Sequence, residues 1–256
     1  MRATVLAVLI ALALPAATLA QPSPAPGASP APYVTAAVND PARKDDVAND
    51  ARRKVADVMA FAEVKPGQKV LELIPGSGYF TRVFSAIVGP RGQVYAVWPN
   101  EYAKESESDV AGSKALVAQP HYANVSVLIQ PANQLSVPQQ VDVVFTSQNY
   151  HDYPDKFMGK VDPAVLNKQV FAALRPGGLY VIIDHVAEAG SGLRDTDTLH
   201  RIDPAIVKKE VEAAGFVFDG ESSVLRNPAD PHNIKVFDKS IRGHTDQFAY
   251  RFRKPG

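Results

Sequence analysis

The chain has 256 residues, with 27 basic and 27 acidic side chains and no formal net charge, which argues against a nucleic-acid binder working through a broad basic surface. It contains no cysteine, so disulfide frameworks, thiolate metal sites, iron–sulfur clusters and cysteine nucleophiles are excluded. Its length and an apolar fraction of 46% leave ample material for a core in one or two domains.

Arg2 precedes an uncharged run from Ala3 to Leu14, followed by Pro15 and a small-residue exit ending Thr18-Leu19-Ala20. This pattern predicts a signal peptide over residues 1–20, and hence an exported, periplasmic or secreted protein with no membrane insertion after cleavage. The alternative is an uncleaved signal tethering the chain to the inner membrane. Residues 21–32 contain five prolines and no large apolar side chain, which predicts a disordered linker over 21–33. A single domain is then expected over residues 34–256.

Between Asp45 and Ala62 the apolar positions Val47, Ala51, Val55, Val58, Met59 and Ala62 recur at helical spacing. Lys69–Ile74 is a nearly continuous apolar run, expected of a strand buried on both faces. Gly76-Ser77-Gly78 opens a predicted helix, Tyr79–Val88. Strand Gln93–Trp98, helix Tyr102–Ala118, and strands Val125–Gln130 and Val141–Thr146 follow. Asp162-Pro163 and Asp203-Pro204 each supply an N-cap and a first-turn proline, for helices ending at Leu174 and Ala214. Strand Leu179–Asp184 lies between them, and strands Phe216–Val224 and Gln247–Arg253 complete the chain. The alternation predicts an α/β, Rossmann-like fold. Its seven-stranded sheet is mostly parallel, with helices on both faces and one antiparallel strand near the C-terminus. Ligands on such sheets sit beyond the carboxyl ends of the central strands, where the winding reverses.

The turn Glu72-Leu73-Ile74-Pro75-Gly76-Ser77-Gly78 lies between a strand and a helix. It is either a tight turn or a place where a ligand approaches backbone freed of side chains. A dinucleotide fingerprint needs a third glycine where Thr81 stands. The chain resembles the class I S-adenosylmethionine-dependent methyltransferases from about Val64 to Lys254. The likeness is nearest to a group of predicted bacterial methyltransferases with a signal peptide, and it rests on four segments. These are Pro-Gly-Ser-Gly-Tyr-Phe-Thr at 75–81, Gln-Asn-Tyr-His-Asp at 148–152, Leu-Arg-Pro-Gly-Gly at 174–178 and Leu-His-Arg-Ile-Asp at 199–203. The resemblance implies S-adenosylmethionine as cofactor. Glu72 then fixes its amino-group end, and Gly76 and Gly78 admit its methionine and ribose portions. Ile74 replaces the family's first glycine, Trp98 its ribose-gripping acid, and Pro131-Ala132-Asn133 its adenine contact. That leaves Trp98 to stack on adenine, Glu101 to reach the ribose and Asn133 as a polar substitute.

Asn149, Tyr150, His151 and Asp152 follow the fourth strand, where this fold meets the transferred methyl group. His151 is the candidate base, oriented by Asp152 and walled by Tyr150; the alternative is that His151 and Asp152 cap the loop. Asn149 is placed with the cofactor, and His185, His200 and Arg201 with the substrate. His151, Asp152, Asp184, His185 and His200 include enough nitrogen and oxygen donors for a divalent ion, but no metal-ligand spacing is present, so no metal is expected. Residues 187–198 are read as a lid, and the insertion 227–245 as a cover or a recruiting surface. Arg52 and Arg53 form either a solvated face or a contact to the cofactor carboxylate. The function expected is methyl transfer to an unidentified small molecule. The alternative is a non-catalytic exported binding protein with a degenerate cofactor site.

Overall fold

The computed structural model describes residues 30–256; the expected signal peptide and most of the expected linker lie outside them. The linker's last residues, Pro32 and Tyr33, instead begin helix α1 (Pro32–Val38), whose Val34 and Ala37 are buried. Proline at the helix start loses no hydrogen bond there, and the ordered domain therefore begins before Val34.

The helix expected over 45–62 is two helices, α2 (Val47–Arg53) and α3 (Val55–Ala62). Lys54 separates them in the left-handed conformation, at φ 49°. The break lets α3 bury Val55, Val58, Met59, Phe61 and Ala62 while α2 buries nothing and delivers Arg53 elsewhere. Strand β1 (Lys69–Leu73) leads through the glycine turn into α4 (Tyr79–Val88), then β2 (Gln93–Pro99). Helices α5 (Asn100–Glu105) and α6 (Glu107–Val117) replace the single helix expected there. Strands β3 (Val125–Gln130) and β4 (Val141–Ser147) follow, then α7 (Pro163–Ala173), with Asp162 accepting from the Ala164 amide as expected. Strand β5 (Leu174–His185) begins earlier than expected, because Leu174 still pairs with Val141 across a register shift in β4. The short helix α8 (Thr196–Leu199), helix α9 (Pro204–Ala213) and strands β6 (Val217–Ser222) and β7 (Gln247–Arg253) complete the domain.

The sheet order is β3-β2-β1-β4-β5-β7-β6, and β7 runs antiparallel to both its neighbours. Winding reverses between β1 and β4, which pair in parallel. Alternating side chains build two cores. Leu71, Leu73, Tyr95 and Val97 face the layer of α7 and α9, whereas Val70, Val94, Ala96 and Phe145 face α3 and α4. Glu72 alternates onto the second face, which puts a carboxylate at the sheet centre beneath the start of α4. Among the described residues no helix is long and apolar enough to cross a membrane.

Candidate active site

A cavity of about 540 Å³ opens at the carboxyl ends of β1, β4 and β5, the place this topology favours. The glycine turn forms one wall. Gly76 takes φ 55°, and a Cβ built there meets nothing within 4 Å, so the backbone itself borders open space. Ile74 adopts φ 53° with its side chain buried. A β-branched residue in this region is strained by ~1–3 kcal/mol. Its amide donates to Val97 O at 2.8 Å, and Asn149 Nδ2 donates to its carbonyl at 3.2 Å. Asn149 thus ties the end of β4 to the turn, and it lines the cavity. Gly78 lies outside the cavity lining; it begins α4 at φ 78°.

Glu72 borders the turn from below. Thr81 Oγ1 donates to it at 2.5 Å, and burial pushes its carboxyl up to about 8 against the pull of Thr81, Arg82 and Arg53. Above it, Arg53 lies half-buried over the Tyr79 ring at 4.6 Å and brings its charge to the cavity wall. At the β2 side the expected contacts are corrected. Trp98 is fully buried, and its indole donates to Ser113 Oγ at 3.2 Å. Glu101 accepts from the Ala132 amide at 3.0 Å. Asn133 is exposed and lends its carbonyl to Gln169. Tyr102, Glu105 and Ser106 line the cavity there instead. A bend between α5 and α6 presents them, and no local pattern marks it.

The opposite end is built on Asp184, fully buried at the end of β5. Its carboxylate accepts from His151 Nδ1 at 2.8 Å and from the backbone amides of His151 and His185 at 2.9 and 2.8 Å. Burial opposes its ionisation, but His151 and these donors hold its pKa below the usual value. Burial likewise works against charge on His151, yet Asp184 and Asp152 outweigh it and hold the imidazole at about 9. Its two carboxylate neighbours therefore favour the charged form of the imidazole when Nε2 carries no other partner. Burial raises Asp152 to about 7 and lowers His200 to about 4. His185, held neutral by burial at about 3, shares a hydrogen bond between Nδ1 and Thr245 Oγ1 at 2.8 Å.

His151, Asp152, His185 and His200 all line the cavity. Tyr150 and Arg201 do not. The Tyr150 hydroxyl donates to Glu210 at 3.0 Å and accepts from Asn167 at 2.7 Å, on the α7–α9 side. Arg201 is fully buried and forms a two-pronged pair with Asp230 at 2.9 and 3.0 Å. That pair anchors the 227–245 insertion, which places Val236 and Phe237 on the cavity. Residues 187–198 do not line it. Asp203 binds the Gly190 amide at 2.8 Å and Arg194 pairs with Glu188 at 2.7 Å, so the expected lid is a tied surface loop.

Residues 31–151 match the family of protein-L-isoaspartate(D-aspartate) O-methyltransferases. The ubiquinone/menaquinone biosynthesis C-methyltransferase UbiE of Vibrio cholerae is 27% identical over 72% of this chain and 60% of its own length. The chain thus spans about three fifths of this curated relative. Among solved structures, an S-adenosylmethionine-dependent methyltransferase from Aquifex aeolicus superposes with TM-score 0.55 at 18% identity, over 84% of this chain and 98% of that one. The cyclase SpnF superposes with TM-score 0.60 at 17% identity, over 80% of each chain. The fold is that of the class I S-adenosylmethionine-dependent methyltransferases. A cyclase among the neighbours of this methyltransferase fold shows that the architecture does not by itself decide the reaction, which is carried by the site.

Proposed function

We propose that the protein transfers a methyl group from S-adenosylmethionine to a small-molecule acceptor. The observation that carries the proposal is the single cavity that joins the Gly76 turn to the His151–Asp184 pair. The cofactor-side donor set fits the group. The open face of Gly76 admits a chain, Glu72 offers a buried carboxylate to an ammonium, Arg53 a cation to a carboxylate, and Glu105 an acid to ribose hydroxyls. Bound there, the cofactor supplies an electrophilic methyl on a sulfonium. Phe157 and Phe237 narrow the opposite end, and a volume of about 540 Å³ suits small molecules. His151 and Asp152 hold the acceptor's polar group and His200, kept neutral by burial, receives its proton, while the aromatic walls exclude water.

Calorimetric titration of residues 21–256 with S-adenosylmethionine and S-adenosylhomocysteine tests the reading. Micromolar binding of either is expected. Absence of heat at millimolar ligand, with the protein shown to be folded, would overturn it in favour of a binding protein for a different ligand.

A further inference from the structure

The acceptor end of the cavity holds three polar atoms, two from the adjacent residues His151 and Asp152 and one from the distant His200, with no ordinary hydrogen bond among them. His151 Nε2 lies 3.3 Å from Asp152 Oδ1 and 3.4 Å from His200 Nδ1, and the last two are 4.0 Å apart. Each separation exceeds the usual range for a hydrogen bond between such groups. The nearest point equidistant from all three, in the plane they define, lies ~2.1 Å from each, which is the bond length that zinc makes to imidazole nitrogen and carboxylate oxygen. We propose that His151, Asp152 and His200 bind a divalent transition ion of the zinc class through these atoms.

Three further features support the assignment. Asp184 accepts a hydrogen bond from His151 Nδ1–H at 2.8 Å, which keeps the proton on Nδ1 and leaves Nε2 to a ligand. This carboxylate–histidine arrangement commonly stands behind metal-bound imidazoles. His200 sits in left-handed backbone at φ 54°, and its ring rests on Phe237 at 4.9 Å. Strain of that kind persists where the surroundings impose a geometry. The two imidazole rings meet at 87°, so they approach a common point without stacking. Two histidines and one carboxylate leave the remaining coordination positions facing the cavity. There the ion would hold an acceptor oxygen or sulfur as its anion, a role that rests on the methyl-transfer reading; the binding of the ion does not.

The test uses the full domain, residues 21–256, stripped with a chelator and returned to chelator-free buffer. Zinc is titrated against a competing chromophoric chelator, and cobalt(II) is followed by its visible absorption. We expect one equivalent per chain and a cobalt spectrum of low coordination number. His200→Asn, which suits left-handed backbone, and Asp152→Asn should each weaken zinc at least tenfold, and Asp184→Asn about 10–100-fold. A cooperatively melting wild type that takes up no stoichiometric ion overturns the proposal. So does zinc affinity unchanged in all three variants, which would place the ion on other histidines. S-adenosylhomocysteine binding, measured on the stripped protein, reports separately on the methyltransferase reading: cofactor bound without metal defeats only the ion, and metal bound without cofactor defeats only the methyl transfer.

Discussion

Replacing Glu72 by glutamine should remove a penalty that the protein without ligand carries at alkaline pH. Burial holds this carboxyl protonated to about pH 8, against an ordinary 4.5. Between those values the folded protein keeps a proton that the unfolded chain has lost, so stability falls as pH rises, by ~1.4 kcal/mol per pH unit. From pH 6 to pH 8 the loss from this one group is ~2 kcal/mol, and it levels off above pH 8. Glutamine keeps an acceptor for Thr81 Oγ1 and has no charge to bury. Urea unfolding of wild type and Glu72→Gln at pH 6, 7, 8 and 9 reads the effect as a difference, in which the other titrating groups cancel. The wild type should lose ground to the variant by ~2 kcal/mol between pH 6 and 8. Parallel pH profiles would refute the reasoning. The same linkage reaches the ligand: a cationic amino group beside Glu72 selects the ionised carboxylate, so binding below pH 8 should release a proton and tighten as pH rises.

Gly76→Val should abolish S-adenosylhomocysteine binding, since its side chain enters open cavity, while strain at φ 55° costs ~1–3 kcal/mol and melting stays cooperative; unchanged affinity would move the site away from the turn. Arg201→Met leaves Asp230 buried without its partner and should cost ~3–5 kcal/mol in urea unfolding with ligand affinity retained. Normal stability with lost ligand binding would return Arg201 to the site. Trp98→Phe removes the indole bond to Ser113 and some core volume, at ~1–2 kcal/mol, and should leave cofactor affinity within about twofold; a large loss would put the indole against the cofactor.

The succession of strands and helices and the glycine turn were legible because their causes are local. Continuous apolar runs mark strands covered on both faces, Asp162-Pro163 and Asp203-Pro204 mark helix starts, and a glycine pair after β1 marks a close approach to backbone. Glu72 was legible for the same reason, standing inside an apolar strand. Residues at strand ends were not. Trp98 breaks the alternation of β2 by packing on the same side as Val97, because Ser113 on α6 offers its indole a partner. Tyr150 follows the same strand end as His151 yet turns toward Asn167 and Glu210.

The sequence by itself determined the layers, the direction of the strands and the end of the sheet at which a ligand is admitted, since periodicity and turn chemistry act over a few residues. Only the tertiary structure decided which polar groups meet there. Asp184 lies 33 positions from His151, and His200 lies 49 positions away, so their approach depends on strand pairing and on the α8 turn. Arg201, adjacent to His200, is turned into the core by Asp230 of the distant insertion. Burial, and with it the protonation of Glu72, His151 and Asp152, depends on what surrounds a residue in space, which its neighbours in the chain do not specify.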